Sequence, residues 1–315
     1  MSAHHSTKRR ARAALMLLMV CAGVAAHAEK PTALDVGEIA PGIFVHFGKM
    51  LALDAPGHDD IANVGFIVGT RCVAVVDTGG SMRIGRALRE SVRRHSNLPV
   101  CYVINTHDHV DHVLGNAAFK DDRPIFVGHF ALVAALKRDS AFFVEHYADD
   151  LDAPATSAEI IGPDKTVTTT LELDLGGRRL KLQAWPKAHT DCDLTVQDDR
   201  TRVLWTGDLV FRERIPALDG SVVGWLADID QLARVDAAII VPGHGAATRD
   251  AATALDPERR YLEAVRDGVR KALAEGRSIE QAAAEVAASE RSHWLLWDTA
   301  HAHNVSRAYQ ELEWE

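Results

Sequence analysis

Cys72-Val73-Ala74-Val75-Val76-Asp77-Thr78-Gly79-Gly80 is a near-continuous apolar run closed by an acid and a glycine turn. A run without polar alternation reads as a strand buried on both faces, and Thr78-Gly79-Gly80 as the tight turn that ends it. Ser81 supplies an N-cap, and the spacing predicts an amphipathic helix through about Arg94. Val100 to Asn105 is a second buried strand. Strand, helix, strand in this order is a parallel α/β unit. Working outward, Gly42 to Phe47 and Val64 to Val68 read as short strands, and residues 129–150 as a helix. Lys165 to Leu209 is strand-rich, punctuated by Gly176-Gly177 and Asp198-Asp199, and Ala237 to Val241 is a last buried strand. Residues 257–315 are mostly helical, with a break at Glu275-Gly276. No repeat and no Pro/Gly/Ser-rich linker divides this pattern, so the expectation is one domain with two sheet layers and helices outside them.

The 315 residues are 47% hydrophobic, enough to bury a substantial core. The first 28 are different in kind. Lys8, Arg9, Arg10 and Arg12 precede an apolar run from Ala13 to Ala26, and Ala26-His27-Ala28 is a small-x-small pattern. That is the layout of a secretory signal peptide, and the apolar run is too short for a mature membrane anchor. Residues 1–28 are therefore expected to be removed on export to the periplasm, leaving a domain at 29–315. Losing those four basic residues moves the net charge from −9 to −13. So acidic a protein repels phosphate backbones and anionic membranes, which argues against nucleic acid and membrane partners and for a small-molecule substrate. Cys72, Cys101 and Cys192 remain, an odd number at wide spacing and no disulfide framework. Cys72 and Cys101 fall in strands expected to be neighbours; a bridge there requires a narrow Cβ separation.

Thr106-His107-Asp108-His109-Val110-Asp111-His112 follows the second buried strand directly. In a strand or tight loop alternate residues point the same way, so His107, His109 and Asp111 are expected to converge, with His112 facing a neighbouring ion. Imidazole and carboxylate are ligands that suit zinc. Three more candidates sit in comparable places: His189 in Lys187-Ala188-His189-Thr190-Asp191-Cys192-Asp193, Asp208 in Trp205-Thr206-Gly207-Asp208, and His244 in Pro242-Gly243-His244-Gly245. Asp208 and His244 lie at the ends of apolar strands, the edge where open α/β sheets place their sites.

The order His-x-His-x-Asp-His, a distant His, a Gly-Asp and a Gly-His resembles the metallo-β-lactamase superfamily over roughly residues 37–250. The resemblance implies an α/β fold, an αββα four-layer sandwich, here followed by C-terminal helices. It implies a dinuclear zinc site in which His107, His109 and His189 bind one ion, Asp111, His112 and His244 the other, and Asp208 bridges them. An Asp at 208 resembles the hydroxyacylglutathione hydrolase (glyoxalase II) branch; zinc β-lactamases place other residues there. A narrower resemblance rests on His189 to Thr195, Gly207 to Phe211, Arg214 to Ser221 and the ending Tyr309 to Glu315. These look like the quinoprotein relay system zinc metallohydrolases, which are similar to a hydrolase-like protein of sulfur-oxidation operons. That likeness implies an exported protein accompanying a periplasmic quinoprotein dehydrogenase. Asp191-Cys192 departs from the Pro-Gly pair common in the wider superfamily.

The chemistry expected of two zinc ions is hydrolysis: they lower the pKa of water toward neutrality, and the hydroxide attacks a carbonyl, with Asp111 orienting it as well as serving as a ligand. Two competing readings are a mononuclear iron sulfur dioxygenase and a non-catalytic metal-binding accessory protein of a periplasmic redox relay. Asp77 is a candidate either to orient a ligand histidine or to bond Gly79 or Gly80 as a turn residue. Asp108 reads as structural or supporting; Cys192 as a small loop-filling residue, with a thiolate near the metals as the alternative; Arg212, Glu213 and Arg214 as a solvated loop, with the substrate mouth as the alternative; and His301 and His303 as surface residues.

Overall fold

A computed structural model of the chain describes residues 1–2, 32–152, 156 and 159–315. The basic, apolar and small-residue parts of the expected signal peptide lie outside the described residues. The elements in chain order are β1 (Gly37–Ala40), β2 (Ile43–His46), β3 (Val64–Val68), β4 (Val73–Val76), α1 (Met82–His95), β5 (Val100–Ile104), α2 (Val110–Val113), β6 (Ile125–His129), α3 (Leu132–His146), β7 (Lys165–Val167), β8 (Thr170–Asp174), β9 (Arg179–Ala184), β10 (Leu194–Asp198), β11 (Val203–Phe211), α4 (Val222–Leu232), β12 (Ile239–His244), α5 (Ala251–Ala274), α6 (Ile279–Glu285) and α7 (Trp297–Leu312). One sheet runs β1-β2-β3-β4-β5-β6-β7, the other β12-β11-β10-β9-β8. β4, β5, β6 and β7 are parallel neighbours, as are β11 and β12; the remaining pairs are antiparallel.

β4 shows why two sheets stack. All four of its residues are buried, and successive side chains point to opposite faces. Ala74 and Val76 join Leu182, Val196 and Trp205 in the core between the sheets. Val73 and Val75 pack instead with Leu88 and Val92 of α1. The second sheet divides in the same way: Trp205 and Val241 face the first sheet, while Leu204 and Ile240 pack with Trp225 of α4 and Leu262 of α5. The result is the α/β fold expected, helix, sheet, sheet, helix, with the C-terminal helices on the second sheet. Burying one such side chain contributes about 1.5–3 kcal/mol, so polar substitutions within β4 would remove contacts on both sides of the sheet.

Ser81 caps α1 as read from the sequence, its Oγ accepting from the Ile84 amide at 3.1 Å. The helix expected at 129–150 is shorter, because Ile125–His129 is strand β6 and α3 starts only at Leu132. Cys72 and Cys101 form a disulfide across the neighbouring β4 and β5 edges, with Cα atoms 5.8 Å apart.

His301 corrects the surface reading: it is buried. On α7 it shares a helical face with Trp297, Asn304, Val305 and Ala308, the spacing that turns one stripe inward. Its ring stacks on Trp297 at 3.8 Å, and burial brings its pKa down to about 4, against the opposing hydrogen bond that its Nε2 donates to the Val286 carbonyl. Its neighbour Asn304 accepts from the Leu218 amide at 2.9 Å and donates to the Pro216 carbonyl at 2.7 Å. These bonds pin the loop after β11 to α7. Among the described residues no helix is long and apolar enough to cross a membrane.

Candidate metal centre

Four chain segments deliver ligand-type side chains to one edge of the sandwich. β5 ends in the loop carrying His107 and His109; α2 carries Asp111 and His112; the β9–β10 connection carries His189; β11 and β12 carry Asp208 and His244. β11 pairs with β12 in a register that slips on either side of Gly207, and Gly207 has a φ of 51°. An irregularity of this kind re-aims one side chain out of the regular pleat, here Asp208.

The seven residues come together as two groups. One ligand atom from each of His107, His109, His189 and Asp208 lies within 4.8 Å of the others, and the same holds for Asp111, His112 and His244. Asp208 sits between the groups. Its Oδ2 is 3.8 Å from His107 Nε2 and 3.6 Å from His189 Nε2 on one side, and 3.2 Å from His244 Nε2 on the other. Its Oδ1 is 3.2 Å from His112 Nε2. Asp111 Oδ2 lies 3.3 Å from His244 Nε2. Alternation along an extended segment would place Asp111 beside His107 and His109. Residues 110–113 instead form one helical turn, which carries Asp111 and His112 together toward His244.

The outer nitrogen of each imidazole has a protein partner, which leaves the inner one aimed at the cluster. His112 Nδ1 donates to Asp77 at 2.9 Å, His189 Nδ1 to the Ala217 carbonyl at 2.6 Å and His244 Nδ1 to the Ile61 carbonyl at 2.8 Å. His109 Nε2 meets Asp219 at 2.9 Å. His107 Nδ1 meets the Thr106 hydroxyl at 3.0 Å, and that hydroxyl donates in turn to Asp77 at 2.8 Å. Such partners fix the tautomer and ring orientation that a metal ligand needs. Asp77 thus serves two of the clustered histidines, at a φ of 53° that holds its carboxylate across the ends of β4 and β5.

The inner atoms test whether a metal fits. Buried His107 Nε2, His112 Nε2 and Asp208 Oδ1 have no hydrogen-bond partner among the described residues. A buried polar atom without a partner costs free energy, and a convergent set of imidazole nitrogens and carboxylate oxygens is what a divalent cation satisfies. The residues therefore fit the group. The charged groups of the cluster act strongly on one another. Burial opposes ionisation of Asp208 and Asp111, yet neighbouring His112 and His244 hold both below the usual carboxylate range. The same carboxylates raise His112 and His244 against the effect of burial. His107 and His189 go down, His189 to about 4, through burial and the adjacent imidazoles.

Asp219 had no signal in the sequence beyond its place in the run Arg214 to Ser221. It joins His109 to His303 of α7, 2.7 Å away, and those two partners outweigh burial to hold it well below the usual range. His303 is exposed, as expected, but it supports the site through this contact. Arg214 also departs from the solvated-loop reading. It lines the cavity above the cluster, whereas Arg212 turns away to the carbonyls of Ala246 and Ala247. Asp108, Asp191 and Cys192 form a third cluster of ligand type. Arg138 lies 3.3 Å from Asp108 and 3.8 Å from Asp191 and already offsets their charge. Cys192 is fully buried with Val110, Leu132 and Leu136, and burial pushes its thiol up, in keeping with the space-filling reading.

A family model described as the metallo-β-lactamase superfamily matches residues 58–244, more than half of the chain. A metallo-β-lactamase from Pontibacter korlensis superposes with a TM-score of 0.58 at 20% identity, over 73% of this chain and 99% of that one. The metallo-β-lactamase DIM-1 gives 0.57 at 18% identity, over 73% and 97%. The stereoselective inverting sec-alkylsulfatase Pisa1 from Pseudomonas sp. gives 0.63 at 15% identity, over 89% of this chain but only 50% of that one. At these identities the likeness concerns the fold. No curated protein matches the chain by sequence.

Proposed function

The chain belongs to the metallo-β-lactamase superfamily, and from that premise we propose that it is an exported hydrolase that carries two zinc ions and cleaves an ester, thioester or amide. The observation that carries this reading is the placement of Asp208 within 3.8 Å of both ligand groups, with inward-facing atoms on each side that nothing else satisfies. A single-ion reading leaves Asp111, His112 and His244 assembled with nothing to hold.

In this assignment His107, His109 and His189 hold one ion, Asp111, His112 and His244 the other, and Asp208 faces both. Two zinc ions bound there supply Lewis acidity and bring the deprotonation of water toward neutral pH. The protein does the rest. Asp77, Asp219 and the carbonyls of Ala217 and Ile61 keep five imidazoles in their working orientation. Asp111, whose side chain opens onto a cavity of about 660 Å³, orients the attacking water. The water oxygen bonds to the acyl carbon, the C–O, C–S or C–N bond breaks, and one water proton ends on the leaving group. Phe142, Phe143 and Tyr147 form an apolar wall of that cavity, which limits the access of bulk water and strengthens the electrostatics inside.

Purified protein is expected to contain close to two zinc ions per chain by elemental analysis and to turn over at least one member of a panel of esters, thioesters and lactones. A preparation holding one iron and no zinc, active only on persulfides, would replace this reading with the dioxygenase. Export is supported by the order of residues 8–28 and by the Cys72–Cys101 disulfide, since such bonds persist in oxidising compartments. In the native host, periplasmic extract should yield a chain beginning near Glu29 that co-purifies with a quinoprotein dehydrogenase. Full-length protein with Met1 intact in the cytoplasm would contradict export.

A further inference from the structure

Three cations of the catalytic cavity have no carboxylate partner. Lys187, Arg214 and Arg307 line it, and none of them takes part in an ion pair among the described residues, whereas Arg138 on the same cavity is paired with Asp108, Asp139 and Asp191. The Nε of Arg214 is buried and lacks a hydrogen-bond partner. Six aspartates line the same cavity, but each is engaged: Asp108, Asp139 and Asp191 with Arg138, Asp219 with His109 and His303, and Asp111 and Asp208 within the histidine cluster. The three cations are therefore the charges of the cavity left without a counter-ion, and such charges attract an anionic group.

Lys187 and Arg307 have a further property. Both also line a second pocket of about 490 Å³, so they stand on the sill between it and the catalytic cavity. Lys187 precedes His189 by two residues on the β9–β10 connection. Arg307 comes from α7, where its Nη2 donates to the Asp219 backbone carbonyl at 2.6 Å. Its Nη1 donates to Gln310 Oε1 at 3.3 Å; the two bonds hold the guanidinium in place and leave its remaining N–H groups available for a ligand. The acid of the second pocket, Glu311, is already engaged by the Ser221 hydroxyl and by the Val222 amide at 2.7 Å. Apolar surface completes the cavity: Phe142 is 51% and Leu53 41% exposed, large values for such side chains, and both line it.

We propose that the substrate is an ester or thioester with an apolar body and a carboxylate at its far end, the carboxylate being held by Lys187 and Arg307 while the scissile bond lies at the metal cluster. This rests on the hydrolase reading, and it narrows the substrate class from any acyl compound to an amphiphilic acid. Lys187 and Arg307 are specificity residues in this arrangement, since they touch the substrate away from the bond that breaks. Charge-assisted hydrogen bonds to a carboxylate are among the stronger polar contacts, and at a rim they weaken with salt.

The test uses binding and turnover in parallel on the zinc-loaded protein. Calorimetry with suberate and with octanoate compares a second terminal carboxylate against a methyl group on the same body. Suberate is expected to bind about tenfold tighter or more, and the advantage should shrink as ionic strength rises. In the variant Lys187→Ala with Arg307→Gln, which keeps a side-chain donor for the Asp219 carbonyl, the ratio should fall to about one. Lys187→Ala alone, which removes no internal bond, should reduce it part of the way. The kcat/KM ratio of the p-nitrophenyl hemiester of suberate to p-nitrophenyl octanoate should move in step. Equal binding of the two acids by the unmodified protein, or a preference that survives in the double variant, would overturn the proposal. Tight, charge-dependent suberate binding with no turnover of any acyl compound would sink the hydrolase reading and leave the anion anchor standing.

Discussion

Asp208→Asn is expected to give a folded protein that holds close to one zinc ion and hydrolyses its substrate about 10²-fold or more slowly. The reason lies in how both oxygens are used. Oδ1 is 3.2 Å from His112 Nε2, and Oδ2 is 3.2 Å from His244 Nε2 and 3.6 Å from His189 Nε2. The side chain therefore presents charge to both ligand groups at once. Two divalent cations in one buried site repel each other with about four times the energy of two unit charges at the same separation. A shared carboxylate offsets it. Asparagine preserves the shape and one oxygen but turns an N–H pair toward one of the groups and removes the charge. The group with three histidines remains a sufficient set for one ion; the group with Asp111, His112 and His244 loses the anion that compensates its neighbour. Elemental analysis alongside circular dichroism decides the matter. A folded Asp208→Asn protein that still binds two ions tightly would show that Asp208 is not shared, and the assignment of the seven ligands would have to be redrawn.

Gly243→Ala is expected to do comparable damage without touching a ligand. A Cβ built at residue 243 would lie 1.8 Å from Asp208 Oδ1 and 2.8 Å from the carbonyl carbon of Gly207. No rotation of the alanine relieves the first contact, because a methyl group has no alternative position. Either the Asp208 carboxylate swings out of the cluster or β11 and β12 separate where they run side by side. Overpacking of this kind costs about 1–3 kcal/mol, and moving the shared carboxylate should lower zinc content toward one ion with a fall in turnover of about 10²-fold. Thermal unfolding and zinc stoichiometry, measured together, distinguish the two responses. A Gly243→Ala protein with two ions and unaltered turnover would mean that Asp208 is free to relocate, and its proposed role would lose its geometric basis.

The fold was legible where burial leaves a local imprint. Cys72 to Asp77 could be read as a doubly buried strand because both of its faces are covered, and an uninterrupted apolar run is the one-dimensional trace of that condition. Ser81 was legible as a cap because capping is satisfied within three residues. His301 was misread because its face is defined only with Trp297, Asn304 and Val305, and a histidine on a mixed helix reads as exposed until the opposite wall is known. β6 was missed since Ile125–His129 is short and passes directly into a helical pattern.

The identity of the candidate ligands belongs to the sequence. His107, His109, Asp111 and His112 fall within six positions because one strand end and one helical turn suffice to present them, and His189, Asp208 and His244 each sit in a short local signature. Which atoms turn into the cluster is a different kind of fact. It depends on Asp77, Asp219, Ala217 and Ile61, which lie up to 183 residues from the histidines they orient. The need for glycine at 243 depends on a carboxylate from another strand. The unpaired cations Lys187, Arg214 and Arg307 meet only once α7 has packed against the loop after β11. Hydrogen bonds and steric exclusion act over a few ångströms whatever the separation along the chain. Short-range chemistry was therefore written in neighbouring residues, while orientation, close approach and the charges that line the cavity were decided by the packing of distant ones.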